Sequence, residues 1–167
     1  MLKKNIFIVV LLLFWVRIQA QEDNSVFQFL KIPFSSHAAA LGGENISIIE
    51  DDLTMAVHNP ALLSCVADKT LNLNYMLYIA GVNAASAAFS RVAGERSTWA
   101  VTAQFVNYGT MKETTSENVI IGTFSAKDMA FSGIYSYDLS DYWSGGVKAN
   151  LIYSNYEKFS SFAIGVD

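Results

Sequence analysis

From Thr70 to the end of the chain, hydrophobic and polar positions alternate with a period of two. Leu71, Leu73, Tyr75, Leu77 and Ile79 interleave with Asn72, Asn74, Met76 and Tyr78. Trp99, Val101, Ala103 and Phe105 interleave with Ala100, Thr102, Gln104 and Val106. The same holds for Phe131, Gly133, Tyr135 and Tyr137, and for Val147, Ala149, Leu151 and Tyr153. Such alternation predicts β-strands with one apolar and one polar face. Short polar links separate the runs: residues 93–97, 112–117, 139–141 and 155–158. Consecutive strands with short links make an antiparallel meander. About six or seven strands are expected, several of about ten residues or more, long enough to cross a bilayer when tilted.

Two architectures fit this pattern. A soluble β-sandwich would bury the apolar face between two sheets. A membrane barrel would turn it towards lipid and keep the other face polar. The strand length favours the barrel. So do aromatics near strand ends, namely Trp99, Tyr108, Tyr142, Trp143 and Tyr156. The second face, with Asn, Thr, Ser and Lys148, suits a wet lumen. Single-chain bacterial barrels have an even number of strands, about eight or more. The alternation still runs in "SSFAIGVD", Ser160 to Asp167. The expectation is therefore a piece of a longer protein that covers about half of a barrel.

The N-terminus adds a compartment. Lys3 and Lys4 precede the apolar run Ile6 to Val16, and Ile18-Gln19-Ala20 offers a cleavage point before Gln21. This reads as a secretory signal peptide, because the run is short of the ~20 apolar residues of a spanning helix. The chain has 167 residues, 52% hydrophobic and only 16% charged. Removing Lys3, Lys4 and Arg17 with the leader takes the net charge from −4 to −7. With no basic run, nucleic-acid binding through phosphates is not expected. Cys65 is the lone cysteine. It lies too far from the cut to carry a lipid, has no partner for a disulfide, and reads as a small buried hydrophobe.

The stretch before the strands follows different rules. Ser36 is a candidate cap for a short helix through His37 to Leu41, with Gly42 as its stop. Asp51 or Asp52 is a candidate cap for a turn through Val57. Asn59 before Pro60 places an N-cap and a first helical residue ahead of Ala61-Leu62-Leu63. The segment is thus a string of short helices and turns built on local capping.

Its order, "FLKIPFSSHAAALGG" followed by "DD" and "NPALL", resembles the PorV/PorQ family. These are outer-membrane proteins of the type IX secretion system of Bacteroidota, related to FadL-type barrels. Leu41, Gly42 and Gly43, with Asn59 to Leu63, resemble the PorQ branch more than the PorV branch. The resemblance runs from about Phe27 to the end and is most specific from Phe29 to Leu63. It implies an all-β, antiparallel, FadL-like barrel of about fourteen strands, with an N-terminal hatch of short helices and turns. On that reading residues 1–20 are the signal peptide, 21–69 the N-terminal segment and hatch, and 70–167 the first strands. The hatch motif, structural or gating, comprises Leu41, Gly42, Gly43, Asp51, Asp52, Asn59, Pro60 and Ala61. The resemblance also implies a non-catalytic role without cofactors. The protein would anchor a PorZ-like surface partner in the attachment complex, beside a PorU-like sortase and a PorV-like barrel. That complex processes secreted cargo and joins it to lipopolysaccharide.

The residues themselves carry little catalytic chemistry. Glu50-Asp51-Asp52 matches no EF-hand loop and reads as a solvated, capping acidic turn. His37 and His58 lack the spacing of a zinc site. No G-x-S-x-G, P-loop or G-x-G-x-x-G is present. Two further functions fit the same segment: a FadL-like transporter of small hydrophobic molecules, and a PorV-like cargo-delivery barrel. Transport would need an apolar pocket, for which Ile46, Ile48, Ile49 and Met55 are the candidates. Packing of these residues against the strands is the preferred reading.

Overall fold

The structure, a computed structural model, describes residues 27–116, 119–156 and 159–167. The leader reading, with its cut near Ala20, lies outside these residues. The fold is all-β and antiparallel. Six strands form one sheet in sequence order: β1 Leu71–Leu77, β2 Asn83–Val92, β3 Ser97–Thr114, β4 Ile120–Ser140, β5 Trp143–Tyr156 and β6 Phe159–Val166. Every neighbouring pair is antiparallel, so the sheet is a plain meander.

The strands differ from the sequence expectation in three places, each for a physical reason. β2 is not announced by contrast, because Ala84, Ala85, Ala87 and Ala88 read alike on both faces. The link expected at residues 112–117 is shorter: β3 continues to Thr114 and β4 begins at Ile120. Polar residues there extend a two-stranded ribbon instead of ending it. Ile79 leaves the alternation for a short 3₁₀ turn, Ile79–Gly81, in which Ala80 and Gly81 take φ of 58° and 80°.

The register sorts the side chains by face. On the outer face, Tyr75, Ala85, Phe105, Met129, Tyr153 and Phe162 form one continuous row across all the strands. The next outer row is polar from β2 to β6, with Asn83, Asn107, Lys127, Asn155 and Ser160, and ends on β1 at the exposed Leu77. Towards the other end, Arg91, Trp99, Tyr135 and Val147 form a row. Between these limits the outer face is apolar and bare, with Val101 50%, Phe131 55% and Ile164 68% exposed.

The inner face is small and polar, and it is covered. Ser86, Ser90, Thr98, Thr102, Gln104, Asp128, Ser136, Asn150 and Ser154 are all buried there. Part of the cover is the N-terminal segment, which has two apolar anchors. Phe34, Leu53, Ala56, Leu63 and Val66 pack on Ala88, Ala100 and Ile134. Phe29, with Phe27 and Ile32, packs on Ala84, Val106, Ala130 and Ile152. The polar groups between them are partly satisfied by hydrogen bonds, as buried polar groups require.

Candidate functional site

The segment from Ser35 to Val66 is held by caps. Helix α1, Ser36–Ala40, is capped by Ser35, whose Oγ accepts from Ala38 N at 3.0 Å. The expected cap is Ser36; the helix starts one residue earlier than that, and Ser35 takes the role. At the other end Gly43 N donates to Ala38 O and Gly42 N to Ala39 O. This paired pattern closes helices on residues with positive φ, and Gly42 and Gly43 have φ of 100° and 101°. Leu41 is the C-cap and is largely exposed.

The two aspartates divide their work. Asp52 Oδ1 accepts from Thr54 N at 2.9 Å and from Thr54 Oγ1 at 2.8 Å, fixing the turn that leads into Met55–Val57. Asp51 reaches forward, accepting from Ala67 N at 2.7 Å. Asn59 caps the 3₁₀ helix Pro60–Cys65 by accepting from Ala61 N, and its Nδ2 donates to Ile46 O at 2.8 Å. Cys65 is exposed, which corrects the expectation of burial. The apolar side of its short helix is taken by Leu63.

An ion cluster ties α1 to the acidic turn. His37 Nδ1 lies 2.6 Å from Asp52 Oδ2, and His37 Nε2 lies 3.7 Å from Glu50. The hydrogen bond to Asp52 raises the His37 pKa above its ordinary 6.5; desolvation opposes it, and the Asp52 and Glu50 charges add to the rise. Burial alone would push the Asp52 carboxyl up, but the bonds from His37 and Thr54 together hold it below its ordinary value. Ser35 Oγ and Thr54 Oγ1, 2.9 Å apart and buried, complete the link.

Three side chains of the sheet donate to backbone carbonyls of the segment. Ser86 Oγ donates to Phe34 O, Gln104 Nε2 to Ile32 O at 3.2 Å, and Lys148 Nζ to Val57 O at 2.9 Å. Lys148 Nζ also meets Asp167 at 3.3 Å. Gly146 permits the closest approach. A Cβ there would lie 2.4 Å from Pro60 C and 2.6 Å from Ala61 N. Asn59-Pro60-Ala61 therefore rests directly on β5, and only glycine leaves room for it.

Between segment and sheet is a cavity of about 470 Å³. Glu44, His58, Gln104, Lys148, Asn150 and Asp167 supply its polar wall, and Phe34, Ile46 and Ile152 part of its apolar wall. Burial, and then the nearby Lys148 charge, hold the His58 imidazole below its ordinary pKa, so it is neutral at pH 7. His58 Nε2 is buried with no partner among the described residues. Of the four residues expected to line an apolar pocket, only Ile46 does so. Ile49 points to solvent and Met55 is buried in packing, because Asn45 caps Ser47 N and Ile48 N and loops the chain outward.

No family model, curated protein or solved structure matches this chain.

The local caps were legible in the sequence; their supports were not. Gly146, Ser86 and Gln104 carry no sequence signal that marks them as contacts, and Lys148 reads only as a polar-face residue. Asp128 is another such case. It is buried, with Oδ2 accepting from Tyr108 at 2.8 Å and Tyr156 at 2.9 Å. Among the described residues, no group of three or more His, Cys, Asp or Glu side chains is arranged to hold a metal ion. The segment is capped along its length and hydrogen-bonded to one face of the sheet.

Proposed function

We propose that this chain belongs to an outer-membrane β-barrel, with residues 27–69 as a hatch against the inner wall. The observation that carries this reading is the outer face. Among the described residues no part of the chain covers it, and bare apolar surface on that scale marks a lipid or protein interface. Its boundaries favour lipid. The row Tyr75, Phe105, Tyr153 and Phe162 borders a polar row, and Trp99 and Tyr135 border Arg91 at the other end. Aromatic girdles at both rims of an apolar band are the mark of membrane barrels, whereas a covering sheet requires none. From Ser97 to Asn107, β3 rises ~33 Å at ~3.3 Å per residue. At a tilt of ~40° the polar positions at its two ends stand ~25 Å apart, and the apolar stretch Trp99 to Phe105 between them spans ~15 Å. No helix among the described residues is long and apolar enough to cross a membrane; strands would do so.

Within that frame, the "ALGG", "DD" and "NPALL" order supports a non-catalytic component of the type IX secretion system. The protein would anchor a PorZ-like surface partner in the attachment complex that joins cargo to lipopolysaccharide. Deleting it should release the partner from the cell surface and leave cargo unprocessed. Retention of the partner with correct cargo processing would falsify the anchoring role. The full-length protein should also migrate in a heat-modifiable way in detergent gels; recovery as a soluble periplasmic protein sinks the barrel.

The cavity under the hatch favours a second reading, FadL-like transport of small hydrophobic molecules. Uptake of a labelled fatty acid that depends on this chain would move the balance to that reading.

A further inference from the structure

β3 and β4 outrun their neighbours. β2 stops pairing with β3 at Asn107, and β5 stops pairing with β4 at Ala126. The β3–β4 ladder continues from Thr110 opposite Ser125 to Thr114 opposite Ile120. A bulge with Gly109 at φ 73° marks its base, and bulges re-aim strands. Thr115 N donates to Val119 O at 2.9 Å near its top. The result is a two-stranded ribbon with both edges unpaired among the described residues. The flanking strands cannot extend to cover it: β2 arrives from the connection 78–82, and β5 turns back to β6 within two residues.

The two edges are not alike. The β3 edge carries Lys112 and Glu113, charges of the kind that keep an edge single. The β4 edge, Val119 to Ala126, reads V-I-I-G-T-F-S-A, with no charge and no proline. Val119, Ile120 and Ile121 are 56%, 56% and 61% exposed. That is a β-favouring segment with no charged gatekeeper, regular from Gly122 to Ser125 and with one irregularity at Ile121, where Glu113 faces Gly122 and Thr114 faces Ile120. An isolated ribbon is also marginal in water.

We infer that the β4 edge, Ile120–Ser125, is a docking edge that takes one extended strand of a separate surface protein by β-augmentation. The inference rests on the outer-membrane reading above. The connections at the ribbon end, with the longest hairpin, then face outward, as the longer loops of such barrels do. It deepens the anchoring role by naming the bond: a backbone ladder, with apolar side chains of the incoming strand against Ile121 and Phe124. A second copy is the poorer occupant. Two barrels in one membrane both run β4 from outside inward, so their β4 edges meet only in the less stable parallel arrangement. A soluble partner is free to pair antiparallel.

The test uses the full-length protein in the cells that make it, with Cys65→Ser as background. First, a membrane-impermeant maleimide is applied to Thr115→Cys and, separately, Glu95→Cys. Labelling of position 115 alone supports the orientation; labelling of 95 alone overturns the orientation and the docking with it. Second, a photo-crosslinking amino acid replaces Ile121, Thr123 or Lys112. Adducts from 121 and 123 should fall two residues apart on one segment of one surface protein, with none from 112. Adding Ile121→Lys should cut the adduct from 123 roughly tenfold at unchanged membrane level. Surface labelling at 115 without adducts from 121 and 123 overturns the docking edge and leaves the barrel standing. Adducts onto a second copy, equal adducts from both edges, or an unchanged yield in Ile121→Lys also overturn it.

Discussion

The two faces of the sheet reverse the usual pairing of apolar with buried. The covered inner face carries Ser86, Thr102, Asp128 and Asn150; the bare outer face carries Leu73, Val101, Phe131 and Leu151. Apolar packing holds the inner cover at two anchors, and between them hydrogen bonds run from wall side chains to segment carbonyls. Polarity inside is tolerable where these bonds are made and where small side chains let the backbones approach, while Ser90 Oγ, Ser136 Oγ and Asp128 Oδ1 are buried with no partner among the described residues. Nothing comparable compensates the outer face, so its energetics depend on the solvent it meets. A protein of this kind is specified by which face the chain itself covers.

The comparison breaks most directly at Val101. Val101→Arg, in the middle of the outer band, should cost about 2–4 kcal/mol if that face meets lipid. Urea unfolding of the full-length protein in vesicles measures it. A cost near zero would mean that the face meets water and would remove the membrane reading.

The inner face breaks at Gly146. Gly146→Val forces a side chain into the Pro60 and Ala61 backbone and should cost about 3 kcal/mol. Limited proteolysis should then cut within residues 27–69 of the variant and spare the parent. Equal resistance would mean that the segment does not rest on β5 in solution.

Lys148→Met removes the donor to Val57 O while keeping most of the volume. The expected loss is about 1–2 kcal/mol, seen as faster hydrogen exchange in residues 55–60 and no change in the outer strands.

The smallest expected effect is a pH dependence in the N-terminal segment. The His37 pKa is raised, so its contribution is complete below 6.5 and is lost as pH rises through the folded value above that. The Asp52 pKa is lowered, so its contribution is present above 3.8 and is lost as pH falls through the folded value below that. The segment should be most resistant to proteolysis between these limits, and His37→Gln should flatten the upper flank. A flank that persists in His37→Gln assigns the effect elsewhere.

Much of this was written locally in the chain. The period of two named the strands wherever large and small side chains contrast, as in Leu71 to Leu77, and failed at Asn83 to Val92, where alanine fills both faces. Asn59-Pro60 and Gly42-Gly43 announced their caps, because capping is a contact between residues two to five apart. Asp52 was separable from Asp51 only through Thr54 and Ala67, which lie at different distances along the chain. The sequence by itself thus determined the all-β class, the meander and the string of capped turns, all products of short-range sterics and hydrogen bonding. Tertiary structure alone decided that the polar face is the covered one and that β3 and β4 continue as a free ribbon. It also decided that Gly146, Ser86, Gln104 and Lys148 hold the segment. Those contacts join residues 52 to 91 positions apart, and at such separations no local period carries a signal.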